Sequence, residues 1–472
     1  MSLQQTAGAR IRPSPSNFGA PRFAASAAPA PRFKGAHLWF IAFFATFLLV
    51  SFSGFLPEEL RGPANASGEV FTVLTLPFAI LGFARANLTA RIAALAFGIF
   101  VLCEAASTMF YPLEGFPQIQ AALLGTFLDS KLIILAFGML YFSQQVEWST
   151  KLMFKRFLQI LILMAWVNLV FIFRDMVDGS QNIFGDRLLV RAGIPLPTGL
   201  YIHKAIPAQM GAFAVFACLV LIRFEPNVRK RKIYAASLLV AAMQIMLSFS
   251  VKEIIAFTIA IIFYLSSIGA RIDYRKAFLA TIAFTVLSAG VLVTDNDVSR
   301  VVTERFSRYV GDESETRIRI LLVNTSLKIA NDRFPFGTGA GTFASAPSRE
   351  MGYSPIYVQY RFYRYVGGRP DGEMNFLLDG FWPKVLAEGG WSGFIAYAMF
   401  LTILFRAILH ARQEAPESGT LRFVELCWLF ALPITLASGI LTHERFVMVL
   451  AFTGFALGQR NVFSQNIPTR SK

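Results

Sequence analysis

Hydrophobic residues in this chain form long runs that are separated by short polar segments. Leu38–Phe52, Ile233–Leu247 and Val424–Leu441 are examples, each 15 to 18 residues long with almost no charge. A helix needs about 20 residues to cross a hydrocarbon layer of roughly 30 Å, so runs of this length are typical of membrane spans. The pattern therefore predicts an all-α, polytopic transmembrane helix bundle and excludes a soluble enzyme or a disordered scaffold.

Twelve apolar segments are predicted, with ten or eleven spans as alternatives because the second begins close to its loop and the last is short. They lie at about 37–55, 68–84, 92–110, 129–144, 157–173, 205–222, 233–250, 253–269, 277–294, 384–405, 423–441 and 446–459. Residues 1–36 are predicted to be a disordered cytoplasmic tail, and residues 460–472 a second tail. The remaining domains are 37–294 (nine spans), 295–383 (a large loop) and 384–459 (three spans).

Charge then gives these spans an orientation. The chain carries 44 Lys and Arg against 29 Asp and Glu, a net charge of +15, although charged residues make up 15% of it. With the N-terminus inside, the inward segments hold 24 basic and six acidic residues, and every inward loop agrees with the positive-inside rule. Both termini are therefore predicted to be cytoplasmic. The basic excess records this orientation and does not indicate nucleic-acid binding.

Two predicted outward segments are long, 174–204 and 295–383, and long loops without secondary structure are uncommon unless they are functional. The stretch Arg317–Asp332 reads as an amphipathic helix in which Ile318, Leu322 and Ile329 share one face. Two placements are open. This helix lies in the outer headgroup region, or it packs on a small core within the loop.

The clearest local motif is Arg333–Phe343, in which Gly337, Gly339 and Gly341 alternate with other residues. Alternating glycines allow a tight turn and close backbone approach, and their exposed amides can bind an anion. The motif lacks the GxGxxG pattern of a dinucleotide site and the Lys-Ser/Thr of a phosphate-binding loop. A purely structural turn is the alternative.

Asp379 comes shortly before the tenth span, and Glu388 lies inside its beginning. Asp379 is predicted to lie where the outer loop meets the membrane, as a general base or as the N-cap of the helix that follows. Glu388 lies within the apolar segment, so it is predicted to be functional or bonded to a neighbouring helix.

Other charged residues also attract attention. Outward arginines suit phosphate because the guanidinium fork donates two parallel hydrogen bonds. Glu104 lies inside the third span and marks either a pathway or a packing bond. Asp129 and Lys131 do not face each other on a helix, and we expect them at the outer edge of the fourth span. The three cysteines and four histidines show neither disulfide nor metal-ligand spacing. The outward arginines are Arg187, Arg191, Arg317 and Arg319. Lys252 and His203 lie near span ends, and His203 is either a plain interfacial residue or a substrate contact.

Together these features resemble the O-antigen ligase/polymerase superfamily of bacterial membrane glycosyltransferases. The resemblance covers residues from about 180 to 400. In order, the matching segments are Arg187–Gly193, Ser248–Lys252, Arg317–Asn331, Pro335–Phe343 and Asp379 with Leu386–Gly390.

The resemblance implies a GT-C-like fold, and a donor glycan linked to undecaprenyl pyrophosphate on the periplasmic face of the bacterial inner membrane. It implies no metal and no cofactor. Arg191 with Arg317 or Arg319 would hold the pyrophosphate, and Asp379 would occupy the place of the catalytic base. The other candidates for substrate binding are Arg187, His203, Lys252, Gly337, Gly339, Gly341 and Glu388. A chain-length regulator and a flippase are the implied partners, besides the lipid bilayer.

Two departures from the family pattern direct the choice of function. Ligases usually have His where this chain has Asp379, and an acidic residue there is similar to Wzy-type polysaccharide polymerases. Lys252 stands where Arg is more usual. We therefore expect a polymerase of lipid-linked repeat units, with a glycan ligase as the closest alternative and a transporter or lipid-glycan flippase as the alternative of another class.

Overall fold

The structure is a computed structural model of the chain. It describes residues 34–145, 147–179, 181–184, 187–188, 190–191, 194–201, 205–248, 250–267, 314–362, 380–454 and 457. The predicted ninth span at 277–294, the tails up to residue 33 and from residue 458, His203 and Asp379 lie outside these residues.

Within the described ranges the chain is helical, apart from one pair of two-residue strands. The helices are α1 Lys34–Ser51, α2 Glu58–Arg85, α3 Leu88–Phe110, α4 Gln118–Gln145, α5 Glu147–Asp178, α6 Ala205–Phe224, α7 Val228–Leu247, α8 Val251–Ser267, α9 Ser314–Asp332, α10 Pro347–Glu350, α11 Pro355–Gln359, α12 Phe381–Glu414, α13 Gly419–Thr435 and α14 Glu444–Leu450. Short 3-10 turns cover Ser53–Phe55 and Ile440–Thr442. The strands β1 Val190–Arg191 and β2 Ile194–Pro195 pair antiparallel, with Val190 opposite Pro195.

Six of the described helices are long and apolar enough to cross a membrane, and the chain is a helical membrane protein. They are Glu59–Arg85, Leu88–Phe110, Gln118–Gln144, Leu152–Asp178, Ala205–Phe224 and Phe381–Glu414. Helices also cover the first, seventh, eighth, eleventh and twelfth predicted segments wholly or in part. Twelve spans therefore stay a prediction.

Short capped turns connect the helices at the end predicted to face inward. Asn87 Oδ1 accepts a hydrogen bond from Ala90 N at 2.8 Å, and Asn227 Oδ1 accepts one from Lys230 N at 3.2 Å. Ser418 Oγ does the same for Leu421 N at 3.3 Å. Each side chain satisfies an amide that the first helical turn leaves unpaired.

Aromatic rings fill the core between α1, α4, α5 and the segment after α14. The ring centroids of Trp39 and Phe142 are 4.5 Å apart, and those of Phe157 and Phe452 are 4.4 Å apart. Helix α6 is enclosed by its neighbours, with nearly every side chain buried. Such all-round burial is typical of a central helix in a bundle.

Helix α9 packs on a small core of its own loop, which is the second of the two placements that its amphipathic pattern left open. Leu322 and Ile329 are fully buried, together with Phe343 and Tyr357 of the following segment. This outer core also reaches Ala387 of α12, so it rests directly on a membrane helix.

Candidate functional site

Residues Gly337–Phe343, here called the glycine segment, are buried where the ends of three helices meet. A side-chain carbon added at Gly337 would overlap the carbonyl oxygen of Ala387 in α12. The same addition at Gly339 would overlap Thr108 at the end of α3, and at Gly341 the carbonyl of Ala121 in α4. Backbone meets helix directly at all three places, which only glycine permits.

The glycine segment inserts into the hydrogen-bond ladder of α12. Gly390 has φ 63° and ψ −167°, so the helix is broken there. The amides of Thr338 and Gly339 donate to the carbonyls of Ala387 at 2.9 Å and Glu388 at 3.0 Å. In return, Ser392 N donates to the carbonyl of Pro335 at 3.2 Å. An insertion of this kind is a recognised cause of a helix kink.

Glu388 fastens the far end of the glycine segment. Its Oε1 accepts hydrogen bonds from Phe343 N at 2.9 Å and from Ser345 Oγ at 2.7 Å. The sequence predicted that Glu388 is functional or bonded to a neighbouring helix, whereas its hydrogen bonds go to the loop, and a functional role stays a prediction. The amides of Gly337, Thr338, Gly339 and Phe343 all donate to protein acceptors, which gives the segment a packing role. A direct contact between these glycines and a substrate stays a prediction.

Beneath the glycine segment lie three buried carboxylates and one lysine, here called the carboxylate cluster: Glu104, Asp129, Glu388 and Lys384. Lys384 Nζ donates to both oxygens of Asp129, and lies 3.8 Å from Glu388 Oε2. One oxygen of each carboxylate lies within 4.8 Å of the other two, a spacing that could hold a cation. The expectation that this protein needs no metal stays a prediction.

The expectation that Asp129 and Lys131 mark the outer edge of a span is wrong. Helix α4 begins at Gln118, so both residues lie well inside it rather than at its edge. Their exposed fractions are 5% and 2%, and they point to different sides of α4, Asp129 toward buried Lys384 and Lys131 toward two half-buried glutamates. Lys131 Nζ lies 2.5 Å from Glu69 Oε1 of α2 and 3.0 Å from Glu444 Oε1 of α14. A charged residue in an apolar span has to be paired, and here the pairing is made between helices.

The neighbouring residue of α14 continues this line of charge toward the first long loop. Arg445 is buried, donates to the carbonyl of Val50 at 2.8 Å, and lies 5.9 Å from the centre of the Tyr201 ring. Buried charged side chains thus extend from α12 across α4 to the 174–204 loop.

That loop is attached to α5 by two polar side chains. Asp175 Oδ2 accepts from Thr198 N at 3.0 Å and Gly199 N at 2.8 Å. Asn168 Oδ1 accepts from Leu200 N at 2.8 Å. Two of the predicted phosphate-binding arginines lie in this loop. Arg187 is exposed and pairs with Gln181 in an isolated backbone β-bridge, and Arg191 belongs to strand β1.

The remaining predicted site residues are spread over other elements. Lys252 opens α8, with its Nζ 3.9 Å from Glu253 Oε1. Arg317 and Arg319 lie in the first half of α9. For Asp379 the nearest described residue is Gly380, whose added side-chain carbon would lie 3.3 Å from Leu322 Cδ1 of α9.

In the outer core, tyrosine hydroxyls act as neutral hydrogen-bonding groups. Burial raises the pKa of Tyr357 well above its ordinary value. The protonated hydroxyl accepts from Ala344 N at 2.8 Å and lies 2.9 Å from Ser348 Oγ. Burial likewise raises the pKa of Tyr360 to about 12, and its hydroxyl donates to Asp332 at 2.9 Å.

The structure thus brings Gly337, Gly339, Gly341 and Glu388 together, while Arg187, Arg191 and Lys252 lie on other elements. Sequence reasoning did not assign Lys384, although a lysine four residues before Glu388 in an apolar segment was a usable signal. Neither the family models nor the curated proteins with which the chain was compared contain a match.

Proposed function

We propose that this protein is a membrane glycosyltransferase that joins undecaprenyl-pyrophosphate-linked oligosaccharide units into a surface polysaccharide. It would lie in a bacterial inner membrane with about twelve spans in a GT-C-like arrangement. Both termini would be cytoplasmic and the active site periplasmic. A flippase that supplies the donor and a chain-length regulator would be its partners.

One described contact carries the proposal. Gly380 directly follows Asp379 in the chain and packs beside Leu322 of α9. Arg319 lies three residues before Leu322, and residues three apart on a helix are neighbours on its surface. The residue that follows the proposed base in the chain therefore touches the helix that carries a proposed pyrophosphate ligand, and this contact supports the proposal. The glycine segment, anchored on α12, holds the same outer core in place.

The chemistry needs no more than these residue types. Pyrophosphate is a good leaving group, and arginines stabilise the charge that develops on it. One positioned carboxylate can accept the proton of the attacking sugar hydroxyl. Asp379 would serve as that base, with Arg319, Arg317 and Arg191 as the donor ligands.

The decisive experiment uses purified full-length protein in nanodiscs with a polyprenyl-pyrophosphate-linked repeat unit as the substrate. Products are separated by size on a gel. A ladder formed from this substrate alone is expected for a polymerase. A product that appears only after a second acceptor is added identifies the ligase alternative, and the absence of any glycosidic product contradicts both.

Asp379→Asn should abolish elongation, lowering the rate by at least about a hundredfold, because an amide cannot accept the proton. The matched control is Asp371→Asn, which changes another Asp-Gly pair eight residues earlier and should elongate normally. Both variants are checked for normal yield and a single size-exclusion peak. Wild-type chain lengths from Asp379→Asn would remove this residue from the mechanism.

A transporter or flippase is the second candidate, and Glu104 favours it. Both Glu104 oxygens are buried without a hydrogen-bond partner among the described residues, and a charged group in a span is a common part of a transport pathway. Movement of a fluorescent lipid-linked glycan across proteoliposomes, without any glycosidic product, would support this alternative.

A further inference from the structure

A group of unpaired carboxylate oxygens lies beneath the glycine segment, between α3, α4 and α12. Glu104 is fully buried, and neither of its oxygens has a hydrogen-bond partner in the described part of the chain. The same is true of Glu388 Oε2. Unpaired buried oxygens are costly, so their convergence on one point indicates a ligand.

The charge of the cluster indicates the sign of that ligand. Three carboxylates face one another, and Lys384 is the cation that the described structure places against them. When all four groups are ionised, the cluster carries a charge of −2. Buried charge of this size inside a membrane bundle has to be neutralised.

The distances between the carboxylate oxygens favour a bound cation over a proton shared by two carboxyl groups. Two carboxyl groups that share a proton approach to about 2.5–2.7 Å and are hydrogen-bonded to each other. Glu104 forms no such bond, yet one of its oxygens lies within 4.8 Å of Asp129 and Glu388. A cation about 2.0–2.6 Å from each oxygen would hold oxygens apart by this amount.

We propose that Glu104, Asp129 and Glu388 bind one oxygen-preferring divalent cation of the Mg²⁺, Ca²⁺ and Mn²⁺ class. A divalent ion brings the cluster to neutrality, and a ligand set of carboxylates alone suits hard cations rather than zinc or copper. The ion would join α3 and α4 to the N-terminal part of α12.

The position of the cation gives it a structural role. Glu388 has one oxygen toward the cluster, and the other holds Phe343 N and Ser345 Oγ of the loop. The ion therefore orients the residue that fastens the glycine segment, as groups around a site orient its ligands. This inference goes beyond the proposed function, because the ion takes no part in sugar transfer and its binding is measured without a substrate.

The test uses full-length protein purified in detergent micelles after treatment with EDTA. Titration with Mn²⁺, followed by electron paramagnetic resonance of the free ion, should show one saturable site per chain. Excess Ca²⁺ or Mg²⁺ should displace the Mn²⁺, and bound ion should raise the melting temperature. Glu104→Gln should weaken Mn²⁺ binding by at least about tenfold. Glu388→Gln gives a second measurement, with the same expected loss, if Glu104→Gln does not fold.

Glu444→Gln is the matched control, because it removes a carboxylate that is paired with Lys131 on the other side of α4. It should bind Mn²⁺ as the wild type does. Absence of a saturable site in the wild type, or wild-type affinity in a folded Glu104→Gln, overturns the proposal. Equal losses in Glu104→Gln and Glu444→Gln also overturn it, since binding would then not belong to the carboxylate cluster.

Discussion

Several single residues, among them Gly339, Gly341 and Glu388, have structural roles that cannot be read from the residue type alone. Gly339 and Gly341 combine a left-handed backbone, φ 91° and 78°, with direct contact to helices α3 and α4. The left-handed backbone and the close approach to a helix are two separate requirements, and glycine satisfies both because it has no side chain. Glu388 also has two tasks, since one oxygen holds the loop and the other faces the carboxylate cluster.

Gly341→Ala should lower the melting temperature more than Gly352→Ala. This comparison separates the cost of steric overlap with a helix from the cost of a left-handed backbone. Both glycines have positive φ, but an added carbon at Gly341 overlaps Ala121, whereas at Gly352 it meets nothing within 4 Å. We expect a cost of about 1–2 kcal/mol at Gly352 from the backbone alone. At Gly341 overpacking should add about 1–3 kcal/mol. Equal shifts in a thermal unfolding assay would contradict the close packing of the glycine segment.

At the level of elements, α12 is a membrane helix that is opened to receive a loop. The break at Gly390 frees two carbonyls and one amide, and Pro335 and the glycine segment pair with all three. One turn before Glu388 in the same helix, Lys384 connects α12 to Asp129 of α4. The N-terminal part of α12 is thus fixed from the loop and from the bundle together.

Lys384→Met should destabilise the protein by about 3–5 kcal/mol, because it leaves the Asp129 carboxylate buried without its cation. Asp129→Leu combined with Lys384→Met should recover part of this loss, since the Asp129 charge is removed together with its partner and only the weaker Lys384–Glu388 contact is still missing. Arg223→Met is the control, as its partner Glu417 is 77% exposed and such pairs contribute about 1 kcal/mol or less. Additive effects of the two cluster mutations in thermal unfolding would argue against a direct pair.

For the whole molecule, the described contacts bring together those helix ends that the charge pattern assigns to the outer face. The end of α3 and the beginnings of α4 and α12 meet around the glycine segment. Asn87, Asn227 and Ser418 cap turns at the opposite end, where basic residues are concentrated. This agreement supports the proposed orientation, which a labelling experiment can test directly.

Val228→Cys and Val358→Cys form a matched pair for that experiment. The two valines are 58% and 44% exposed and lie at opposite predicted faces, at the first residue of α7 and in α11 of the large loop. The native Cys103, Cys218 and Cys427 are buried and should react slowly. A membrane-impermeant maleimide added to intact spheroplasts should label Val358→Cys alone, and both variants after permeabilisation. Labelling of Val228→Cys in intact spheroplasts would reverse the orientation.

The sequence by itself determined the class of this protein, the positions of most helices and the two places that deserved attention. Hydropathy and helix caps are local properties, so Leu88–Phe110 or Ala205–Phe224 can be predicted from their own residues. The glycine pattern and Glu388 could be singled out for the same reason.

Only the tertiary structure decided what those residues contact. The glycine segment pairs with α12 about fifty residues later, and Lys384 bonds to Asp129 across 255 positions. The predicted position of Asp129 and Lys131 at the edge of a span was wrong. A charged residue in an apolar segment indicates that a partner is needed, but the sequence does not indicate which helix supplies the partner. Pairing of this kind depends on how helices pack around each other, and no local pattern along the chain encodes it.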